Sequence, residues 1–335
     1  MVCETPFGMK GNGVYTAYID SLELLREKGD VEIVVNEEGE GDVFHSHTYG
    51  PYYFWKGRKY KGRRVFTAHV IPESGIGSFP LWKITMPLSR WYLRKVYDYA
   101  DVCIAISPHV AQTIRDLGSK TKIVSLANPI MLERWSFTTE KRRTGRERFG
   151  FNEDDFVVLG VGQLIERKGV EDFLDVAEAI PEARFVWAGG RPFGPFSDGL
   201  LKINHRIDHA PANALFTGML ALKEMPPVYA MADMMIFTSY QENCPLAPLE
   251  AAACGLPVIF RDLPEYALLF NHPYLKAGST EEYIGLTRRL ANDPYFFQQG
   301  KEMSARLITQ FNKDHIREEL IGIYHSLEGH SLEVN

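Results

Sequence analysis

Short apolar runs rich in β-branched residues recur along this chain, and amphipathic stretches of helical period separate them. That alternation leaves few architectures open, because successive strands with a helix between them pair in parallel and need helices on both faces of the sheet. In the front half the runs are 31–36 (VEIVVN), 42–47 (DVFHSH), 63–69 (RRVFTAH), 101–107 (DVCIAIS) and 122–127 (KIVSLA). Segment 134–150 is charged and poor in apolar residues, and it reads as a linker. The series restarts with 155–162, 183–189, 213–217, 234–239 and 257–261, with helices expected at 170–180 and 246–254. The expectation is an α/β chain of two doubly wound, Rossmann-like domains, 1–138 and 151–311. A last helix within 312–335 is expected to pack back on the first. At 335 residues the length suits two cores of roughly 150 residues each. Ligands of such sheets sit at the carboxyl ends of the strands.

Composition narrows the class. With 45% hydrophobic and 24% charged residues the chain belongs with globular enzymes, not with disordered or fibrous proteins. No apolar run reaches the ~18 residues of a membrane-spanning helix, and the start lacks a charged-then-apolar leader, so a cytoplasmic location is expected. Cys3, Cys103, Cys244 and Cys254 are scattered, which fits reduced thiols and neither disulfides nor a zinc site. The net charge of −6 conceals an asymmetry: residues 1–150 sum to +5 and residues 151–335 to −11. A basic front half suits an anionic partner such as a phospholipid surface.

The strongest local signal is T-S-Y-Q-E-N-C-P-L-A-P-L-E-A-A-A-C-G-L-P, in which Glu242 and Glu250 stand at either end of seven residues. A strand ends just before Glu242, and a helix starts near Leu246 with Gly255 as its stop signal. The amides of Leu246 and Ala247, without intrahelical partners, can donate to a diphosphate that the helix dipole also favours. Glu242 can then reach sugar hydroxyls and Glu250 a ribose diol. Acids in a first helical turn also stabilise a helix by roughly 0.3–1 kcal/mol with no ligand at all.

The second signal is G-V-G-Q-L-I-E-R-K-G at 160–169, between a strand and a helix. Arg167 and Lys168 lie at a helix N-terminus that is already partly positive, an arrangement that an anion between them would relieve. The third, GMKGNG at 8–13, lets backbone approach a phosphate, but its order is not that of the dinucleotide fingerprint. Only Met1 to Glu4 precede it, so any strand there is short, and a natural start upstream of Met1 fits that shortness. His69 ends the strand 63–69, at the sheet edge where ligands bind, while His45 and His47 end the strand before it. H-S-H lacks a third metal ligand nearby, and no Asp-x-Asp follows a strand, so no metal is expected.

Segments 52–64 (YYFWKGRKYKGRR) and 79–97 (FPLWKITMPLSRWYLRKVY) mix aromatic rings with cations. Rings at a headgroup layer and cations on anionic lipid fit a membrane surface. Single-stranded nucleic acid would suit the same composition, as would a packed helix with a solvated face.

With R-K-G upstream of E-x7-E and A-A-C-G-L-P, the sequence resembles retaining glycosyltransferase family 4 of the GT-B fold, two Rossmann-like domains facing each other across a cleft. F-V-W-A-G-G-R-P-F-G (185–194), V-I-F-R-D-L-P-E-Y (258–266), K-G-N-G-V-Y (10–15), D-V-F-H-S-H-T-Y-G-P (42–51) and A-H-V-I-P-E-S (68–74) are similar to bacterial diacylglycerol glucosyltransferases and glycolipid galactosyltransferases. The resemblance implies that Arg167 and Lys168 hold the donor diphosphate, that Glu242 contacts the hexose and that Glu250 contacts the ribose. It places His69 near the sugar's far hydroxyls, Gly13 by the diphosphate, and Gly189, Thr217 and Gly218 by the base, with Gly162 also among the donor-binding residues. Many relatives have Arg after the glycine where this chain has Gln163. The implied activity is transfer of a hexose from UDP-glucose or UDP-galactose to diacylglycerol or its monohexosyl derivative. No metal or other cofactor and no nucleic acid take part, and the enzyme is peripheral on the inner face of the cell membrane. The alternatives are a soluble or polysaccharide acceptor, a GT-B nucleotide-sugar epimerase and a non-catalytic membrane-binding protein.

Overall fold

The computed structural model describes Met1, Cys3 and residues 13–36, 41–60, 62–76, 82–191 and 200–328. Two compact units divide the chain. The first comprises Met1–Gly75, Lys83–Pro129 and Phe311–Asn335, and the second Ile76–Trp82 and Ile130–Gln310.

In the first unit the order is α1 (Gly13–Arg26), β1 (Val43–Ser46), α2 (Pro51–Arg58), β2 (Arg63–Ala68), α3 (Trp82–Asp98), β3 (Val102–Ala105), α4 (Pro108–Asp116) and β4 (Lys122–Ser125). The strands form a parallel sheet in the order β1-β2-β3-β4. Start signals in the sequence act locally: Ser107 caps α4 by accepting from the Val110 amide, with Pro108 in the first turn. The expected strand 31–36 is not one. It belongs to no strand, and among the described residues its backbone bonds to Met1, Asn36 N donating to Met1 O at 3.1 Å and the Met1 amine to Val34 O at 2.7 Å, and to Tyr52, whose hydroxyl donates to Asn36 O at 3.3 Å. Its apolar alternation reflects burial of Ile33 and Val35 against Tyr18 and Leu22 rather than a place in the sheet.

The second unit opens with a correction. Segment 134–150, expected as a linker, folds into α5 (Leu132–Trp135) and α6 (Thr139–Phe149). Two of its charges turn inward: Arg146, 1% exposed, and the half-buried Arg142 both pair with Asp233, whose carboxylate also accepts from Val157 N at 2.8 Å, while Glu140, Arg143, Glu147 and Arg148 stay exposed. Arg146 further donates to the carbonyls of Met231, Asn152, Glu153 and Asp155. Charge density marks solvated linkers only when the charges lack partners, and here a buried network satisfies Arg142 and Arg146.

The chain continues through β5 (Val157–Val161), α7 (Val170–Ala179), β6 (Arg184–Ala188), α8 (Leu200–Asp208), β7 (Ala214–Gly218), α9 (Met225–Met231), β8 (Met234–Phe237), α10 (Leu246–Ala253), β9 (Val258–Arg261), α11 (Pro264–Leu269) and β10 (Leu275–Ala277). α12 (Thr280–Asn292) and α13 (Pro294–Ile308) complete it. All its strands are parallel, in the order β10-β9-β8-β5-β6-β7. Both faces are covered, which explains the unbroken apolar runs: Val158, Phe173, Phe185, Trp187, Ile236 and Ile259 lie in one core. The three-residue β10 gave no recognisable run in the sequence. α14 (Lys313–Glu328) then returns to the first unit, where Ile316, Leu320 and Ile323 pack with Leu24 and Leu25 of α1. Among the described residues no helix is long and apolar enough to cross a membrane.

Candidate active site

The strand order of the second sheet reverses between β5 and β8, the two strands that start the opposing halves. In an open parallel sheet the loops leaving such strands diverge to opposite faces and leave a crevice at their carboxyl ends. The loop after β5 carries Gly162, Arg167 and Lys168, and the loop after β8 carries Glu242.

Hydrogen bonds to backbone carbonyls clamp the two loops together. The carbonyl of Arg167 accepts from Tyr240 N at 2.8 Å, and that of Lys168 accepts from Thr238 Oγ1 at 3.0 Å. Gly169 turns the chain between them with φ at +67°, and a Cβ there would lie 2.2 Å from the Thr238 carbonyl oxygen. Only glycine fits on both counts. A third element pins the assembly: Arg261 pairs with Asp172, donates to Thr238 O at 2.9 Å and lies 3.9 Å from the Tyr240 ring centre. Tyr240 Oη donates to Asp172 at 2.6 Å.

The functional side chains meet at this clamp. Lys168 Nζ donates to Glu242 Oε1 in a buried ion pair, Ser239 Oγ donates to the same oxygen at 2.6 Å, and Arg167 Nη1 stands 4.0 Å away. Arg167 is held by the Gln241 carbonyl at 2.7 Å, while its Nε is buried without a partner among the described residues. Burial alone would raise the Glu242 carboxyl. The charges of Lys168 and Arg167 and the hydrogen bonds from Lys168 and Ser239 outweigh it and hold that carboxyl below its usual range. Burial lowers the Lys168 ammonium, although the Glu242 charge opposes that shift. Two cations for one carboxylate leave the cluster with local positive charge.

Gly162, Gly189, Thr217 and Gly218 come together along the neighbouring strand ends. Gly162 N donates to Ala188 O at 3.0 Å, Gly189 N donates to Gly218 O at 3.2 Å, and Trp187 Nε1 donates to Gly162 O at 2.9 Å. Gly189 has φ at +144°, and a Cβ would come within 2.0 Å of the Gly162 carbonyl oxygen. Thr217 Oγ1 donates to the Gly218 carbonyl at 2.8 Å.

α10 divides the roles of its first amides. Leu246 N donates to the Cys244 carbonyl at 3.0 Å, Pro248 has no amide hydrogen, and Leu249 N donates to Pro245 O at 3.4 Å. The Ala247 amide is therefore the one in that turn with no partner among the described residues. Glu250, one turn on and 7% exposed, accepts from Tyr229 Oη through Oε2. Ser239 and Tyr229, which position the two acids, were not singled out in the sequence. Ser239 lies inside the quoted motif, but Tyr229 is 21 residues from Glu250 and no local spacing points to it.

His69 and Gly13 belong to the first unit. His69 follows β2, is buried, and its Nε2 lies 2.9 Å from His47 Nδ1. His45 has both ring nitrogens bonded, Nδ1 to Tyr324 Oη at 2.6 Å and Nε2 to Thr67 Oγ1 at 2.7 Å. Gly13 opens α1, and residues 8–12 of the glycine-rich stretch lie outside the described residues. Among the described residues no three His, Cys, Asp or Glu side chains are grouped as metal ligands would be.

Two parallel-sheet Rossmann-like units in one chain, the second with its polar cluster at the strand reversal, define the GT-B class. HepE from Anabaena, solved with UDP and glucose, superposes with a TM-score of 0.77 at 16% identity, covering 97% of this chain and 98% of that one. Sucrose-phosphate synthase from Thermosynechococcus elongatus gives 0.71 at 19% identity, covering 87% and 74%. The family model "Glycosyl transferases group 1" matches residues 141–308, and the model "Glycosyltransferase Family 4" matches residues 22–134. The chain belongs to the group 1 glycosyl transferases, with a family 4 front domain. The alpha-galactosylglucosyldiacylglycerol synthase of Streptococcus pneumoniae is 28% identical over 94% of this chain and 86% of its own length. The processive diacylglycerol alpha-glucosyltransferase of Acholeplasma laidlawii is 27% identical over 85% of each.

Proposed function

We propose that this glycosyltransferase moves a hexose from a UDP-sugar to a membrane lipid hydroxyl, either diacylglycerol or a monohexosyl-diacylglycerol, with retention of anomeric configuration and without a metal. The observation that carries the donor half is the buried Lys168–Glu242 pair beside Arg167 at the strand reversal. A diphosphate arriving there finds Lys168, Arg167 and the Ala247 amide, and those groups stabilise the charge that builds on the leaving diphosphate. Glu242 contacts the transferred hexose, Glu250 the ribose, and Gly189 with Thr217 and Gly218 the base. His69 serves the far hydroxyls of the hexose.

The acceptor half rests on the lipid-acting relatives and on the surface of the first unit. α2 and α3 pack together through Phe54 and Tyr92, whose ring centres are 6.2 Å apart. On α3, Ile84, Leu88 and Trp91 fall on one helical face and are 74%, 65% and 58% exposed. On α2, Trp55 is 53% exposed, with the ammonium groups of Lys59 and Lys56 at 4.9 and 5.6 Å from its ring. Exposed apolar groups ringed by cations fit the headgroup layer of an anionic bilayer, with the enzyme peripheral on the inner face of the cell membrane.

Incubation with labelled UDP-glucose or UDP-galactose and lipid vesicles tests the reading. A labelled glycolipid, formed equally well with a chelator present, is expected. Transfer only to a soluble sugar removes the lipid acceptor, and conversion of the donor without any acceptor makes the enzyme an epimerase.

A further inference from the structure

The first unit holds a carboxylate that the donor reading does not use. Glu73 stands in the 3₁₀ turn Pro72–Gly75, in the loop that leaves β2 at its carboxyl end, where parallel sheets take their ligands. Its Oε1 accepts from Arg90 Nη1 at 3.0 Å. Its Oε2 is buried and has no hydrogen-bond partner among the described residues. The loop itself is held in place: Ile71 N donates to Ser74 Oγ at 3.2 Å, Ser74 N to Ile71 O at 3.0 Å, and Tyr97 Oη to Val70 O at 2.7 Å. Arg90 and Tyr97 belong to α3, the helix on whose exposed Ile84, Leu88 and Trp91 the membrane reading rests. All of these residues lie in the first unit.

A carboxylate offers about four lone-pair sites, and the bond to Arg90 serves only one oxygen. Leaving the other buried without a partner costs more for a charged group than for a neutral one. The Arg90 guanidinium already balances the charge, so Oε2 lacks a hydrogen and not a second cation. A divalent cation would need several oxygens, and among the described residues no three His, Cys, Asp or Glu side chains are grouped to supply them. A neutral hydroxyl brings the one hydrogen required. The Glu73 side chain is 31% exposed, so Oε2 lies just beneath the surface, and the broad terminal torsion of a glutamate can turn it outward. A hydroxyl that only binds must keep its hydrogen through the reaction. Diacylglycerol has a single hydroxyl and loses that hydrogen as the glycosidic bond forms, whereas a hexosyl head has hydroxyls to spare.

We propose that Glu73 is an acceptor-binding residue that takes a non-reacting hydroxyl of a sugar head, so that the acceptor is a monohexosyl-diacylglycerol and not diacylglycerol. The proposal rests on the lipid-acceptor reading given above, and it narrows that reading to one substrate class.

The test uses the full chain, wild type and Glu73→Ala, with UDP-glucose or UDP-galactose and anionic vesicles that carry either diacylglycerol or a monohexosyl-diacylglycerol. The wild type is expected to have a kcat/KM at least about tenfold higher on the monohexosyl lipid, the scale of one hydrogen bond to a charged group. Glu73→Ala should lose that advantage through KM for the monohexosyl lipid and change little on diacylglycerol. Thermal protection by UDP and sedimentation with vesicles should match the wild type, since Arg90 is 42% exposed and water can replace its partner. Among monohexosyl lipids that each lack one hydroxyl, one should be used about tenfold less well by the wild type and as well as its parent by Glu73→Ala, as coupled partners require. Turnover of diacylglycerol equal to or above that of the monohexosyl lipid in the wild type overturns the proposal. An equal loss on both lipids in Glu73→Ala also overturns it, since that marks a structural role. So does a wild type indifferent to every missing hydroxyl, a result that needs no variant to fold. Transfer to neither lipid would contradict the lipid acceptor itself and this proposal with it, while UDP protection would still report the donor site.

Discussion

Glu242 is held by Lys168, Ser239 and the nearby Arg167, so each of these side chains fixes the place of another. Removing one member of such a buried pair leaves an uncompensated charge as well as a missing contact. Lys168→Ala and Glu242→Ala are each expected to lose turnover by roughly 100-fold or more, the scale of one preorganised electrostatic group. Circular dichroism should show the fold intact. Activity within about threefold of wild type in both would mean that the site lies elsewhere. That these two side chains meet was legible in the sequence because both stand in strand-end loops, which announce themselves by position. Arg261 was not legible as a partner of Asp172, because pairing across 89 residues depends on strand order, which one sequence does not display. The amides of Leu246 and Ala247 were both read as available for phosphate; that of Leu246 is bonded to the Cys244 carbonyl, and that of Ala247 has no partner among the described residues.

At the scale of elements, alternation of apolar runs located the strands of both sheets, apart from β10 and the false strand at 31–36. The two misses have different causes: a run of three residues is too short to show a period, and burial against a helix imitates the pattern of a strand. The glycine at the end of β6 has a consequence that can be measured. Gly189→Ala forces a Cβ to 2.0 Å from the Gly162 carbonyl oxygen at a φ that other residues avoid. It should destabilise the protein by about 1–3 kcal/mol in urea unfolding and weaken UDP protection, since β5 and β6 must separate at their carboxyl ends. Unchanged stability would contradict the close approach. On α3, Leu88→Glu and Trp91→Glu replace exposed side chains, so they should leave the melting temperature nearly unchanged while sharply reducing sedimentation with anionic vesicles. Vesicle binding by the wild type should fall with salt, because the cations around Trp55 are exposed to screening. Binding indifferent to these substitutions would remove α3 as the docking face.

For the whole molecule, the charge-rich segment 134–150 shows what composition conceals, since Arg142 and Arg146 bind Asp233 at the start of the second sheet instead of solvating a linker. Buried histidines set a pH response in the same global terms. Burial lowers His45 and His69 to about 3 from the ordinary 6.5. Between those values the unfolded chain binds protons that the folded chain does not, so stability is full above about 6.5 and is lost as pH falls toward 3. Thermal unfolding followed from about pH 7.5 to 4.5 should show a steady decline, and His45→Gln should make its slope shallower. A flat profile would mean that these rings are open to solvent. The central claim, hexosyl transfer from a UDP-sugar to a lipid through the Lys168–Glu242 site, is tested most directly by one mass-resolved assay. In it, a panel of nucleotide-sugar donors is crossed with a panel of lipid acceptors, for the wild type and Lys168→Ala. The account predicts a single hexose added to diacylglycerol or its monohexosyl derivative by the wild type, with that product all but lost in Lys168→Ala. Equal product from both proteins, or no lipid product from any donor, would contradict it.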